Sequence, residues 1–218
     1  MPTPTIEEYL EAIYTMASED RAVIGARLAE GLGVSPPTVT STLQRMARDG
    51  YITLDTDKEI HLTEQGRQAV ESLLRRHRLI ERLLVDVLHM DWHDVHDDAC
   101  RLEHAVSPEV EKRLAAFLGD PETCPHGNPI PGRSDAEGDL CLRDAQAGAS
   151  VVLRRVAKRA EGEPGLLLYL DQHGLRPGAM LTVREVAPFN GPITVAAEGH
   201  EVALGRDLAA MLWVSRRE

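Results

Sequence analysis

The chain of 218 residues is long enough to bury the cores of two domains, or of one domain with an appendage. It carries 35 Asp and Glu against 24 Lys and Arg, a formal charge of −11, so bulk charge gives no support for nucleic-acid binding and any DNA contact must come from locally clustered arginines. No stretch approaches the ~20 apolar residues of a membrane span, the opening MPTPTIEEY lacks a signal peptide's basic and apolar regions, and three unevenly spaced cysteines argue against a disulfide framework, so a cytoplasmic protein with thiols available to a metal is expected.

Thr5-Ile6-Glu7-Glu8 has capping-box spacing and predicts an amphipathic helix with Ile6, Leu10, Ile13, Tyr14 and Ala17 on one face. A second helix, GARLAEGL, ends at Gly33-Val34, and a third opens with Ser35 as N-cap, prolines in its first turn and Gly50 beyond its end. YITL and EIHL flank Asp55-Thr56-Asp57-Lys58, which suits a hairpin. Helix, helix-turn-helix and hairpin is the order of a winged helix-turn-helix. A long helical pattern then runs from Thr63 to about Leu88, Asp91 or a neighbour caps the next helix, and Ser107-Pro108 opens another, closed by Gly119 and Pro121. These helices carry more apolar surface than one small domain absorbs and read as a dimerisation layer. Residues 121–140 are rich in Pro and Gly, and the tail alternates as short strands (SVVLRRV, MLTVREV, PITVAAEG, MLWVS) around a short helix, EPGLLLYLDQHG, which suits a small β-barrel.

The densest chemical signal is the run His96, Cys100, Glu103 and His104, whose side chains fall within roughly a 100° arc of one helix. His77 and Glu81 stand at i,i+4 spacing one helix earlier. Each feature alone has an ordinary reading: a surface ion pair, a small buried cysteine, a capping glutamate at Glu8. Together they are hard to explain as independent surface choices and read as metal ligands. Cys124-Pro-His126, with two candidate ligands and prolines nearby, reads as a rigid turn; His89 and His93 read as solvated, and Cys141 is given no role.

TIEEYLEAIY, SPPTVTSTLQRMARDGY, RRHRLIERLL, VHDDACRLEHAVS and CPHGNPIP fall in the order and spacing of the DtxR/MntR family of metal-dependent transcriptional repressors, which the chain resembles over nearly its full length. The tail from GLRPGAMLTV through APFNGPITV resembles the family's SH3-like, or FeoA-like, domain. The resemblance implies a mainly α fold with small β parts: a winged helix-turn-helix DNA-binding domain at 1–72, a helical dimerisation and metal-binding domain at 73–122, a Pro/Gly-rich linker at 123–142 and an SH3-like β-barrel at 143–218. It also implies a homodimer on double-stranded operator DNA that represses metal-uptake genes, with no membrane partner, no small organic substrate and no enzymatic activity.

Carried over by position, the resemblance implies two metal sites per chain. One comprises Glu8, Cys100, Glu103 and His104, which Glu11 joins as a bridging carboxylate; the other comprises His77, Glu81 and His96 with Glu163 from the tail, the second tail acceptor falling near Leu166, which cannot coordinate. Iron-type members resemble one another in a methionine at the position of Glu8, and manganese-type members in a carboxylate. A hard carboxylate suits Mn(II), whereas Cys100 is retained as in iron-type members, so Mn(II) is favoured with Fe(II) as the alternative.

For DNA contact, Ser35, Pro37, Thr38 and Ser41 at the start of the third helix are small enough to approach base edges, and Arg27, Arg45 and Arg48 reach phosphates. The wing, with Asp55, Asp57 and Glu59 around Lys58, is poorly charged for DNA. The competing function is a hydrolytic metalloenzyme, which lacks a general-base or nucleophile constellation here and leaves the helix-turn-helix unexplained. A metal-dependent activator or a metal-insensitive DNA-binding scaffold is a third reading.

Overall fold

The computed structural model describes residues 2–18, 22–132, 139–197 and 199–216; residues 133–138 of the expected linker lie outside them. The chain forms two compact units, Met1–His77 with Glu103–Ala105, and Arg78–Leu102 with Val106–Glu218.

In the first unit, α1 (Pro4–Ser18), α2 (Gly25–Gly31) and α3 (Pro36–Arg48) are followed by β1 (Ile52–Leu54), β2 (Ile60–Leu62) and most of α4 (Glu64–Arg82). α1 opens one residue ahead of the expected Thr5, because Pro4 occupies the first helical position and the Thr3 carbonyl already accepts from Glu7 N–H. The Ser35 hydroxyl accepts from Thr38 N–H at 3.4 Å and caps α3. β1 and β2 pair antiparallel, and Asp55 Oδ1 closes their turn by accepting from the Asp57 and Glu59 amides. Ile6, Leu10 and Ile13 of α1 pack with Leu28, Val39, Met46, Ile52 and Ile60 in one core. The buried face of α3 (Val39, Thr42, Leu43, Met46) leaves Pro37, Thr38, Thr40, Ser41, Gln44 and Arg48 exposed.

In the second unit α4 ends and the chain passes into one π-helical stretch, Leu83–Val87, before α5 (His96–Glu103) and α6 (Pro108–Phe117). The expected continuous helix to Leu88 is therefore interrupted just after Glu81, as happens where a π-bulge re-aims side chains. The Ser107 hydroxyl caps α6 by accepting from Val110 N–H. Val110 and Phe117 of α6 are exposed, 51% and 69%, as is Leu102 of α5.

The tail is a six-stranded antiparallel sheet in the order β3-β8-β4-β5-β6-β7: β3 (Leu140–Cys141), β4 (Ser150–Val156), β5 (Met180–Val186), β6 (Ile193–Ala197), β7 (His200–Leu204) and β8 (Leu212–Arg216). β7 was not expected, because HEVAL carries only two strongly apolar residues; Val202 and Leu204 nonetheless alternate inward. α7 (Leu166–Gln172) starts after Gly165, and α8 (Arg206–Ala209) precedes β8. The sheet core includes Leu153, Val183, Val195 and Val214, and Trp92 from the segment before α5 is buried in it.

Candidate metal centre

Residues 122–130 fold into a loop held at several points. Cys124 N–H donates to Asn128 O, Gly127 N–H to Cys124 O, and Ile130 N–H to Glu122 O. Arg82 Nε reaches Thr123 O at 2.7 Å, and Arg78 donates to Pro129 O. Gly127 has φ +83°, and a Cβ there would lie 2.1 Å from Arg154 O, so only glycine lets the loop lie on β4. Contact is made where β4 bulges between Leu153 and Arg155, with Val156 N–H donating to His126 O and Asn128 Nδ2 to Val156 O. The expected rigid turn is present. Its side chains were undervalued, however, because Cys124 and His126 are 1% and 0% exposed and face inward together.

Glu81, Cys124, His126 and Glu161 each place one ligand atom within 4.8 Å of all the others. His126 Nδ1 lies 3.4 Å from both Glu81 Oε1 and Glu161 Oε1, and 3.9 Å from Cys124 Sγ. Its other nitrogen, Nε2, is 2.8 Å from the Trp92 carbonyl. That carbonyl can only accept, so Nε2 carries a proton and the ring is oriented with Nδ1 towards the carboxylates. Asn128 Nδ2 donates to Glu161 Oε1 at 3.1 Å and orients the second carboxylate. His96 Nδ1 stands 3.3 Å from Glu161 Oε2 and 3.9 Å from Glu81 Oε1, with Cys100 Sγ 3.7 Å from His96 Nε2. Lys158 Nζ lies 2.9 Å from Glu161 Oε2.

Two carboxylates at 0% and 1% side-chain exposure require compensating charge. Burial opposes a charged His96, yet its hydrogen bonds with Cys100, Glu161 and Glu81 raise it from 6.5 to about 10. Burial likewise opposes a charged His126, and the fields of Glu161 and Glu81 with the Cys124 hydrogen bond push it well above its ordinary value. Burial would raise Glu161, and Glu81 adds to that, but Lys158, His126 and His96 bring it down to about 2. A set of one thiol, one or two imidazoles and two carboxylates, buried and oriented by backbone and Asn128, fits a divalent transition ion.

A second network lies in the N-terminal unit. His104 Nδ1 is 2.7 Å from Glu7 Oε2, and Arg76 Nη2 donates to Glu7 Oε1 at 2.9 Å. Arg76 Nε donates to Glu103 O, His77 Nδ1 lies 2.6 Å from Glu103 Oε2, and His104 Nε2 is 3.5 Å from Glu103 Oε1. Glu7 therefore fixes one nitrogen of His104 and leaves the other facing Glu103, the arrangement of a carboxylate-oriented ligand histidine.

The structure redistributes several expected residues. Glu161, not Glu163, meets Glu81 and His96; Glu163 is exposed, because the short 3₁₀ turn Lys158–Ala160 brings position 161 inward. On α1 the buried carboxylate at His104 is Glu7, whereas Glu8, about 100° further round the helix, is exposed and Glu11 is half-buried. His93 is not solvated: its side chain is 14% exposed and lies 3.5 Å from Asp171. His89 is exposed, as expected, and Cys141 Sγ is 3.5 Å from Ala209 O in the sheet. Among the expected DNA contacts, Ser35, Pro37, Thr38, Ser41 and Arg48 are exposed, Arg45 is half-buried, and Arg27 Nη1 donates to Ala22 O. Thr40 and Gln44 share the same exposed face, as helical periodicity around Val39 and Leu43 identifies.

A helix-turn-helix with a small-residue recognition face, carried by a chain that also gathers imidazole, thiol and carboxylate ligands in its buried interior, defines a metal-responsive DNA-binding regulator. Comparison with known proteins bears this out. Residues 1–60 match the iron dependent repressor N-terminal DNA-binding domain, 63–132 the iron dependent repressor metal binding and dimerisation domain, and 140–216 the FeoA domain. The iron-dependent repressor IdeR of Mycobacterium tuberculosis is 39% identical over 225 residues, 97% of each chain. The diphtheria toxin repressor of Corynebacterium diphtheriae is 36% identical over 215 residues, 94% of each chain. A solved manganese-dependent transcriptional repressor in complex with manganese superposes with TM-score 0.87 at 34% identity, covering 97% of this chain and all of that one. The chain belongs to the iron-dependent repressor family of metal-dependent transcriptional repressors, and these relatives are repressors, not enzymes.

Proposed function

We propose that the protein is a cytoplasmic, homodimeric repressor of metal-uptake genes that binds operator DNA when charged with Mn(II), Fe(II) being the alternative ion. The observation that carries this reading is the buried convergence of Glu81, Cys124, His126 and Glu161 in the C-terminal unit, with His96 beside them. His77, one turn before Glu81 on α4, joins Glu81 and His96 as the resemblance implies, with Glu161 in the place it gave to Glu163. A second centre uses Glu103 and His104, with Cys100 earlier on α5 and with Glu8, whose exposed carboxylate is supplied from α1, while Glu7 orients His104. Glu11 serves as the bridging carboxylate. The preponderance of carboxylates supports Mn(II), and the thiols keep Fe(II) in contention.

When bound, the ion supplies a positive charge that holds the carboxylates together. The chain's own residues would supply the switch: within the N-terminal unit Glu7 on α1 holds His104, the residue just after α5, so that the first helix is tied to the segment carrying the proposed ligands Glu103 and His104. Filling it favours one setting of the recognition helices, as half-sites ~34 Å apart require. Ser35 at the cap of α3 and Pro37, Thr38 and Ser41 on it would approach base edges, and Arg27 of α2 with Arg45 and Arg48 of α3 would reach phosphates. Exposed Leu102, Val110 and Phe117 supply apolar surface for the second copy. Anaerobic titration with Mn(II) and then Fe(II), read by fluorescence anisotropy of a labelled regulatory-region duplex, tests the reading. DNA affinity that rises only with a later metal such as Zn(II) contradicts it.

A further inference from the structure

Lys158 stands inside the ligand cluster without being able to ligate in its charged form. Its ammonium is 2.9 Å from Glu161 Oε2 and 3.4 Å from His96 Nδ1, and its side chain is only 15% exposed. It reaches this place from the first position of the 3₁₀ turn Lys158–Ala160 that also carries Glu161 inward at i+3.

A lysine this far from solvent loses hydration and rotamer freedom, and is retained only where it compensates a buried charge. Here that charge is Glu161, the same carboxylate that a metal in the cluster needs. A divalent ion among Glu81, Cys124, His126 and Glu161 would lie within a few ångströms of the ammonium, at a range where like charges repel strongly in a poorly hydrated interior. The four-carbon stem and the residual exposure of Lys158 give its head a way out to water.

Resting on the reading that this cluster holds the ion, we propose that Lys158 is a resident counter-cation that competes with the metal for Glu161. It keeps the metal-free cluster folded and lowers the metal affinity, so that the site fills only when the free ion is abundant. A buried ion pair must be given up for each ion taken in, and removing it should change affinity on the order of tenfold or more.

The test uses the full chain with Lys158→Met, which keeps the stem and removes the charge, and Lys158→Gln, which keeps a donor for Glu161 without charge. Two quantities are read: thermal stability in chelator, and the Mn(II) dissociation constant from isothermal titration calorimetry. The expected result is a lower melting temperature without metal together with Mn(II) binding tighter by about tenfold or more in both variants. If Lys158→Met folds only when Mn(II) is added, the proposal is supported as well. Unchanged or weaker Mn(II) binding by folded Lys158→Gln overturns it. Cys124→Ser serves as the control on the underlying reading: if that substitution leaves wild-type Mn(II) binding intact, the cluster is not the metal site and the reading fails on its own account.

Discussion

His126 Nε2 donates a 2.8 Å hydrogen bond to the carbonyl of Trp92, and this one bond sets the direction of Nδ1 towards Glu81 and Glu161. Trp92 is itself buried in the core of the sheet, so the orientation of the His126 ring is fixed by the same packing that seats the tail. Replacing the imidazole should therefore remove the proposed ligand while leaving the turn that carries it in place, since its hydrogen bonds come from backbone and from Arg78, Arg82 and Asn128.

Cys124→Ser and His126→Ala should each lower metal affinity by about 10–100-fold or more. Cobalt(II) substitution separates ligand loss from general damage, because a thiolate-to-metal charge-transfer band should be present in the wild type and absent in Cys124→Ser. A band that survives in Cys124→Ser places the thiolate elsewhere.

Metal binding should release protons. His96, raised to about 10, and His126, raised well above 6.5, are both protonated in the metal-free protein at neutral pH, and His126 must lose a proton to offer its lone pair. The sign follows: affinity falls as pH falls, and calorimetry in buffers of different ionisation enthalpy should show at least one proton released per ion. In the metal-free protein, Glu161, lowered to about 2, contributes stability above its unfolded pKa that is lost as pH falls towards 2, whereas the contribution of charged His96 is complete below its unfolded pKa and is lost as pH rises towards 10.

Neighbouring glutamates on α1 should behave differently. Glu7→Ala leaves Arg76 and His104 without their buried counter-charge and should cost about 3–5 kcal/mol of stability in the absence of metal. Glu8→Ala removes an exposed side chain and should leave that stability unchanged while abolishing metal-dependent DNA binding. Thermal melts in chelator and DNA titrations with Mn(II) read the two effects apart; loss of stability in Glu8→Ala would reverse the assignment.

On the exposed face of α3, Arg48→Ala should weaken the metal-charged complex evenly across sequences and reduce the slope of log affinity against log salt by about 0.9. Gln44→Ala should instead relax sequence preference, by about 1–3 kcal/mol at the base it reads.

Gly127→Ala should destabilise the fold by on the order of 2 kcal/mol or more, since the position combines positive φ with a Cβ overlapping Arg154 O. Denaturant melts check this, and metal affinity should fall with it because Cys124 and His126 ride on the same turn.

The order of elements was legible from caps and periodicity: Ser35 and Ser107 mark helix starts, and the alternation of SVVLRRV and MLTVREV marks strands. Candidate ligands that share a helix, such as His96 and Cys100, were legible for the same reason. The four-residue cluster was not, because its members come from positions 81, 124, 126 and 161 and no local period links them. Cys124-Pro-His126 was read as a turn, which is correct for its backbone and incomplete for its side chains. The sequence points to Glu163 where the fold places Glu161, because a 3₁₀ turn of three residues decides which carboxylate points inward, and such a turn leaves no periodic trace. Lys158 and Asn128 both contact Glu161 and become visible once its place is known.

In the proposed function, metal converts this chain into a DNA-binding repressor. Fluorescence anisotropy of a labelled duplex from the protein's own regulatory region, first in chelator and then with Mn(II), tests it most directly. Weak, salt-sensitive binding is expected in chelator and tight, saturable binding with Mn(II), lost again in Cys124→Ser. Equal affinity in the two conditions would contradict it.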